Sequence, residues 1–151
     1  NPAYARLERV IGTLLPHLRA GQQLVLRSTI APGTTRYLRR YLERHTSFVV
    51  GRDFFLTFCP ERIAEGKAIE ETREVPQIVG SLDDESGARA AELFSAICPR
   101  ILRGEATAAE LAKLFCNMYR YIDFAIANEF MVIAMQFGAN IYEAVDLANR
   151  D

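Results

Sequence analysis

Three short polar segments of this 151-residue chain carry side chains that could do chemistry. The first contains Ser28 and Thr29, two hydroxyl residues that follow an apolar run and precede Pro32 and Gly33. Ligands of open α/β sheets bind beyond the carboxyl ends of strands, so these hydroxyls are placed to meet a cofactor or to hold a water molecule. On local pattern alone, the alternative is a turn that only caps the following helix.

The second segment follows another apolar run and places Glu61 between Pro60 and Arg62. A carboxylate held at the end of a buried strand is a candidate general base, because partial burial makes a carboxylate a stronger proton acceptor. The alternative is a polar surface loop with an ion pair. The spacing of these residues does not separate the two hypotheses.

The third segment lies in residues 106–137, a stretch without proline or glycine that predicts one long helix. Lys113 and Asn117 are four residues apart and therefore share a face of that helix, with Glu110 at the edge of the same polar stripe. A narrow polar stripe on a largely apolar helix faces water, a partner or a functional site. The breadth of the apolar surface predicts packing against a second subunit.

Hydrophobic periodicity predicts an α/β fold for the first two thirds of the chain. The predicted helices cover residues 3–18, 34–45 and 83–97, and the predicted strands cover residues 23–28, 48–50, 54–58, 76–80 and a last short run from 101. This alternation predicts a mostly parallel sheet covered on both faces. The chain becomes all-helical beyond Gly104, which predicts two domains, 1–104 and 105–151.

Composition and charge exclude several classes of function. The chain has 18 basic and 19 acidic residues, and this balance argues against a nucleic-acid partner. Cys59, Cys98 and Cys116 have no zinc-site spacing, so we expect no metal and predict reduced thiols in the cytoplasm. Apolar neighbours favour a structural role for Cys116 rather than that of a nucleophile. The uncharged apolar stretch 130–142 is too short for a bilayer, so we expect no membrane partner.

Taken together, the three segments resemble the UDP-glucose/GDP-mannose dehydrogenase family. The resemblance rests on three patterns: Ser28-Thr29-x-x-Pro32-Gly33-Thr34-Thr35, Pro60-Glu61-Arg62-x-x-x-Gly66 and Ala109-Glu110-Leu111-x-Lys113-x-x-x-Asn117. Their order and separation also match, with 32 residues from Thr29 to Glu61 and 52 from Glu61 to Lys113. The resemblance implies the C-terminal portion of a Rossmann-like NAD-binding domain, followed by the start of a helical central domain that forms a homodimer.

In function, the resemblance implies an NAD-dependent enzyme that oxidises the C6 alcohol of a UDP-sugar to a carboxylate, in the synthesis of polysaccharide precursors. Ser28 and Thr29 would lie beside the NAD, and Thr29 would also hold a catalytic water. Glu61 would act with that water as the general base that hydrolyses a thioester. Lys113 and Asn117 would contact the reacting C6 oxygen and stabilise its negative charge, as a cation and an amide donor on a rigid face can.

The resemblance also implies a sugar-binding segment after the second apolar run. Residues 61–64, which are Glu61, Arg62, Ile63 and Ala64, would line the sugar pocket, and Glu65 would approach the nicotinamide side of the cofactor. Pro60-Glu61-Arg62 together with Asn128-Glu129 resembles the UDP-N-acetylhexosamine branch, whose substrates are UDP-ManNAc and UDP-GlcNAc, more than the UDP-glucose branch. In the latter an aromatic residue usually follows the glutamate.

Two family segments do not occur in these 151 residues: the G-x-G-x-x-G fingerprint and the G-x-G-G-x-C nucleophile segment. We therefore expect an internal piece of such an enzyme, without dehydrogenase activity of its own and with weak or no affinity for NAD. Two alternatives stay open. A β-hydroxyacid-type dehydrogenase carries a lysine and an asparagine at the same spacing but lacks the Pro60-Glu61 loop, and a helical dimerisation module would have no catalysis at all.

Overall fold

The computed structural model describes residues 2–62 and 75–150. Its helices are α1 (Pro2–Leu14, extended by a 3-10 turn at Leu15–His17), α2 (Thr34–His45), α3 (Asp84–Ser95), α4 (Ala106–Gln136) and α5 (Ile141–Ala148). Its strands are β1 (Gln23–Leu26), β2 (Phe55–Phe58), β3 (Gln77–Ser81) and β4 (Ile101–Glu105). The α/β prediction is confirmed. Residues 48–50 are the exception, since they contribute only an isolated bridge between Val50 and Phe54.

The four described strands form one sheet in the order β1-β2-β3-β4. β1 pairs with β2 and β3 pairs with β4 in parallel, whereas β2 and β3 run antiparallel through Thr57–Ser81 and Phe58–Gly80. The mostly parallel sheet expected from the sequence therefore contains one antiparallel pair. As a consequence, the carboxyl ends of β1 and β2 lie at the same edge of the sheet as the first residues of β3.

In the part of the chain that the structure describes, two apolar clusters hold the sheet and its helices together. The larger cluster packs α1 and α2 against β1 and β2, and its fully buried members include Leu38, Leu42, Leu56 and Phe58. The smaller cluster joins Cys59, Val79 and Ala90. Burying one large apolar side chain contributes roughly 1.5–3 kcal/mol, so the larger cluster provides a firm base for the loops that follow β1 and β2.

The first turns of α4 approach β3 closely because Gly80 has no side chain. A Cβ atom on Gly80 would lie 2.5 Å from the Cβ of Ala109 and 3.2 Å from the Cα of Ala106. Both alanines are buried at this contact. Small residues on both sides thus set the distance between helix and sheet, and with it the position of the helix residues that follow.

The chain divides into two compact units, residues 1–113 and 114–151. The second unit consists of the remainder of α4 and of α5, which Asn140 caps by accepting a hydrogen bond from the Tyr142 amide at 3.0 Å. Many apolar side chains of this unit are more than half exposed, among them those of Phe115, Met118, Ile122 and Phe130. The boundary expected near Gly104 stays a prediction.

Within residues 2–62 and 75–150, no single helix is long and apolar enough to cross a bilayer, and α4 and α5 reach the necessary length and apolarity only as a pair bent by 118°.

Candidate active site

Arg27 holds the carboxylate of Glu61 at the shared ends of β1 and β2. One guanidinium nitrogen pairs with the Glu61 carboxylate, the other donates to Oε1 of Gln77 at 3.1 Å, and the group stacks over the Phe94 ring at 5.1 Å from its centroid. The Glu61 amide also donates to the Arg27 carbonyl at 3.2 Å. The two charged side chains are 36% and 46% exposed, so water screens the ion pair and its main effect is to orient Glu61.

Arg27 and Gln77 are site residues that sequence reasoning missed. Gln77 opens β3, and it reaches Arg27 because β3 runs antiparallel to β2. In an all-parallel sheet, Gln77 would lie at the opposite edge. The position of Arg27 directly after β1, next to Ser28, was the available signal, since residues at strand ends in α/β sheets are the ones that meet ligands.

Lys113 joins the loop after β2 to α4. Its ammonium group donates a hydrogen bond to the main-chain carbonyl of Glu61, 52 residues earlier in the chain. An ammonium group has three donors, so two are left for other acceptors once the carbonyl is satisfied. The Lys113 side chain is half-buried, so water competes less strongly with the Glu61 carbonyl for the ammonium group. Glu61 and Lys113, predicted from separate segments, therefore lie together.

Ser28 and Thr29 face a different hollow. Both residues are exposed just beyond the end of β1, and neither hydroxyl has a hydrogen-bond partner among the described residues. They line a space of about 780 Å³ together with apolar side chains of α1 and β1. Glu61 and Arg62 line a smaller space of about 90 Å³, and Arg27 borders both. The described lining of neither space includes Lys113.

Glu110 is not on an open stripe but fully buried. Its carboxylate accepts hydrogen bonds from the Gly33 amide at 2.6 Å, the Thr35 amide at 2.8 Å and the Thr35 hydroxyl at 2.6 Å. These groups form the first turn of α2, whose N-cap, Gly33, has a φ of 88° and supplies no side-chain cap of its own. Sequence periodicity could not reveal this role, because the partners are about 75 residues apart in the chain.

The structure places only some of the remaining predicted site residues. The Arg62 amide donates to Glu61 Oε1 at 2.8 Å, and its guanidinium donates to the Pro76 carbonyl. The predictions for Ile63, Ala64 and Glu65 lie outside the described residues. Asn117 belongs to the second unit, and its part in the site stays a prediction.

The three cysteines differ in burial. Burial raises the pKa of the Cys59 thiol to about 11, so this group is neutral at physiological pH and unsuited to nucleophilic attack. Cys98 is buried as well, whereas Cys116 is exposed. Within residues 2–62 and 75–150, no cluster of three or more acidic, histidine or cysteine side chains could bind a metal ion.

Both parts of the chain match models of one family. The UDP-glucose/GDP-mannose dehydrogenase family, NAD binding domain, matches residues 3–98, and the central domain of the same family matches residues 107–151. A UDP-N-acetyl-D-mannosamine dehydrogenase of Pyrococcus horikoshii is 37% identical over 150 residues, which are 99% of this chain and 36% of that protein. The chain thus spans little more than a third of the length of this relative.

Solved structures give the same result. The UDP-D-ManNAc dehydrogenase of Pyrococcus horikoshii superposes with a TM-score of 0.89 at 37% identity, over 97% of this chain and 35% of that one. A GDP-mannose dehydrogenase of Pseudomonas aeruginosa, solved as a ternary complex, gives 0.86 at 26% identity, over 98% and 35%. These matches confirm the resemblance seen in the three polar segments and favour the nucleotide-sugar group over β-hydroxyacid dehydrogenases. The chain belongs to the UDP-glucose/GDP-mannose dehydrogenase family.

Proposed function

We propose that this chain forms part of the active site of an NAD-dependent nucleotide-sugar 6-dehydrogenase, which oxidises the C6 alcohol of a UDP-sugar to a carboxylate. The hydrogen bond from Lys113 to the Glu61 carbonyl carries the proposal, because it brings a cation beside a candidate base from 52 residues away. The membership of the chain in a family of dehydrogenases supports the reaction class. NAD supplies the hydride acceptor when it is bound.

Each site residue has a distinct part in this proposal. The free donors of Lys113 stabilise negative charge that develops on the C6 oxygen, and Asn117 supplies an amide donor to the same oxygen. Glu61, oriented by Arg27, accepts a proton from a water molecule that Thr29 holds beside Arg27, the residue that borders both hollows. Ser28 and Thr29 contact the cofactor through their hydroxyls, which the described residues leave unpaired beside a hollow with room for a ligand.

The substrate class that we propose is a UDP-N-acetylhexosamine. The similarity to UDP-N-acetyl-D-mannosamine dehydrogenases agrees with the Pro60-Glu61-Arg62 pattern, in which no aromatic residue follows the glutamate. The guanidinium of Arg62, fixed against the Pro76 carbonyl, contributes to the wall of the sugar pocket. In the cell we place the enzyme in the cytoplasm, in the synthesis of polysaccharide precursors.

The activity test needs the complete polypeptide that carries this chain. Reduction of NAD would be followed by absorbance with UDP-ManNAc, UDP-GlcNAc and UDP-glucose as substrates. We expect turnover with an N-acetylhexosamine, and a loss of about 100-fold in kcat for Lys113→Met, because one donor to a developing oxyanion contributes a factor of about 10²–10³. Arg9→Gln, which removes an exposed charge of α1, serves as the control. No turnover with any of the three sugars would refute the proposal.

We also propose that the protein is a homodimer formed through α4. The second unit exposes more apolar side chains than the surface of a soluble monomeric protein usually does. An exposed apolar patch of this kind indicates a protein interface. Ile122→Glu and Phe130→Glu should produce monomers in light scattering, whereas Asn128→Glu, with the same added charge at a polar position, should not. Dimers that persist in both apolar variants would contradict the assignment.

A further inference from the structure

We propose that Glu110 is a positioning residue, which fixes the turn that carries Ser28 and Thr29 to the helix that carries Lys113. The inference deepens the proposed function and rests on it for its kinetic consequence. Glu110 itself touches neither the hollow beside Ser28 nor the one beside Glu61, since it lines neither of them. It acts through the backbone of the turn at residues 31–35.

The contact is built for an ionised carboxylate. All three hydrogen-bond partners are donors, and both carboxylate oxygens are used, Oε2 by Gly33 and Oε1 by the amide and hydroxyl of Thr35. Bonds of this kind to an ionised acceptor are shorter and about twice as strong as neutral ones. Because Glu110 and Thr35 are both fully buried, water cannot replace the bonds if the carboxylate is removed.

The position of Glu110 on α4 gives this contact a functional consequence. Lys113 follows one helical turn later and donates to the Glu61 carbonyl. Two successive turns of the helix therefore hold two loops, the one before α2 and the one after β2. A displacement of about 1 Å between reacting groups can lower a rate by about 100-fold, so the distance between these loops must be kept constant.

Glu110 also decides what the start of α2 can bind. The amide groups at a helix N-terminus commonly bind phosphate, and in this chain such a helix follows directly after the Ser28-Thr29 turn. The Gly33 and Thr35 amides already donate to Glu110, so no cofactor phosphate can use them. These two amides are therefore closed to the cofactor, and the hydroxyls of Ser28 and Thr29 are the groups of this turn that we assign to it.

The first experiment measures amide hydrogen exchange in the 151-residue chain. Glu110→Gln keeps the size of the side chain but turns one oxygen into a donor that faces another donor. We expect the Gly33 and Thr35 amides to exchange at least about tenfold faster, as expected when a strong hydrogen bond is lost. Ser86→Ala is the matched control, because it removes a buried hydroxyl that bonds Leu56 and Asp83 away from this turn.

The second experiment measures steady-state kinetics of the complete dehydrogenase. Glu110→Gln should lower kcat per folded enzyme by at least about tenfold and raise KM for NAD by more than about threefold, because the reacting groups and the cofactor-contacting hydroxyls are both misplaced. Thr35→Val, which removes only the hydroxyl donor, should give a smaller loss and stays informative if Glu110→Gln does not fold. Ser86→Ala should lower the thermal midpoint without changing kcat.

The outcomes separate the inference from the proposed function. Unchanged protection of Gly33 and Thr35 in Glu110→Gln overturns the inference whatever the enzyme assay shows. A kcat that stays at the level of Ser86→Ala also overturns it, because Glu110 would then serve stability alone. Absence of turnover in the unsubstituted protein would instead refute the proposed function.

Discussion

Replacing Gly80 by alanine tests whether close packing of β3 against α4 sets the geometry of the site. The added Cβ would lie 2.5 Å from the Cβ of Ala109, 3.2 Å from the Cα of Ala106 and 3.3 Å from the Phe58 carbonyl oxygen. Because carbon atoms pack best at about 3.5–4.0 Å, the methyl group is about 1–1.5 Å too close to Ala109. Overpacking of this kind costs about 1–3 kcal/mol, and we expect that loss in the free energy of unfolding.

Urea denaturation followed by circular dichroism measures this loss. Gly104→Ala is a matched control, because Gly104 pairs with Gly80 across β3 and β4 and a Cβ there would meet no atom within 4 Å. We expect a change of no more than about 0.5 kcal/mol in that variant, as for other substitutions in open space.

A double variant isolates the cause of the loss. Ala109→Gly alone should cost about 1 kcal/mol, the usual penalty of glycine in a helix. Combined with Gly80→Ala, it should restore part of the lost stability, so that the two substitutions are not additive. A Gly80→Ala protein as stable as the Gly104→Ala protein, or strictly additive effects in the double variant, would refute the packing argument.

Two further predictions concern the cysteines. Burial raises the pKa of Cys59 from 9.0 to about 11, so the folded chain keeps a proton that the unfolded chain releases. The stability from this group is present below pH 9 and should fall by about 1.4 kcal/mol per pH unit as the pH rises toward 11. Urea denaturation at several pH values should show a shallower decline for Cys59→Ala, and equal slopes would contradict the burial of the thiol. With Ellman's reagent, Cys116 should react at once in the folded, monomeric Ile122→Glu variant, and Cys59 and Cys98 only after unfolding; rapid labelling of all three would count against this packing.

Local interactions determine the parts of the fold that the sequence predicted well. The start of α2 at Thr34 follows from the Pro32-Gly33 turn, and the start of α3 at Asp84 follows from the cap at Asp83, which accepts a hydrogen bond from the Ser86 amide at 2.8 Å. Such signals depend on neighbours within a few residues, so a sequence displays them directly. Strand direction does not follow from local signals, because a short apolar run can pair with its neighbour in a parallel or an antiparallel arrangement.

The predicted site also combines features that the sequence displays with contacts that only the tertiary structure reveals. The sequence by itself predicted which residues act, namely the hydroxyls of Ser28 and Thr29, the carboxylate of Glu61 and the amine of Lys113, because such a prediction depends on side-chain type and on patterns shared with a family. Only the tertiary structure decided which groups hold them in place. The antiparallel pairing of β2 and β3 brings Arg27 and Gln77 to Glu61, and the burial of Glu110 joins α2 to α4. The side-chain contacts among them link residues 34 to 77 positions apart, and such separations leave no trace in local periodicity.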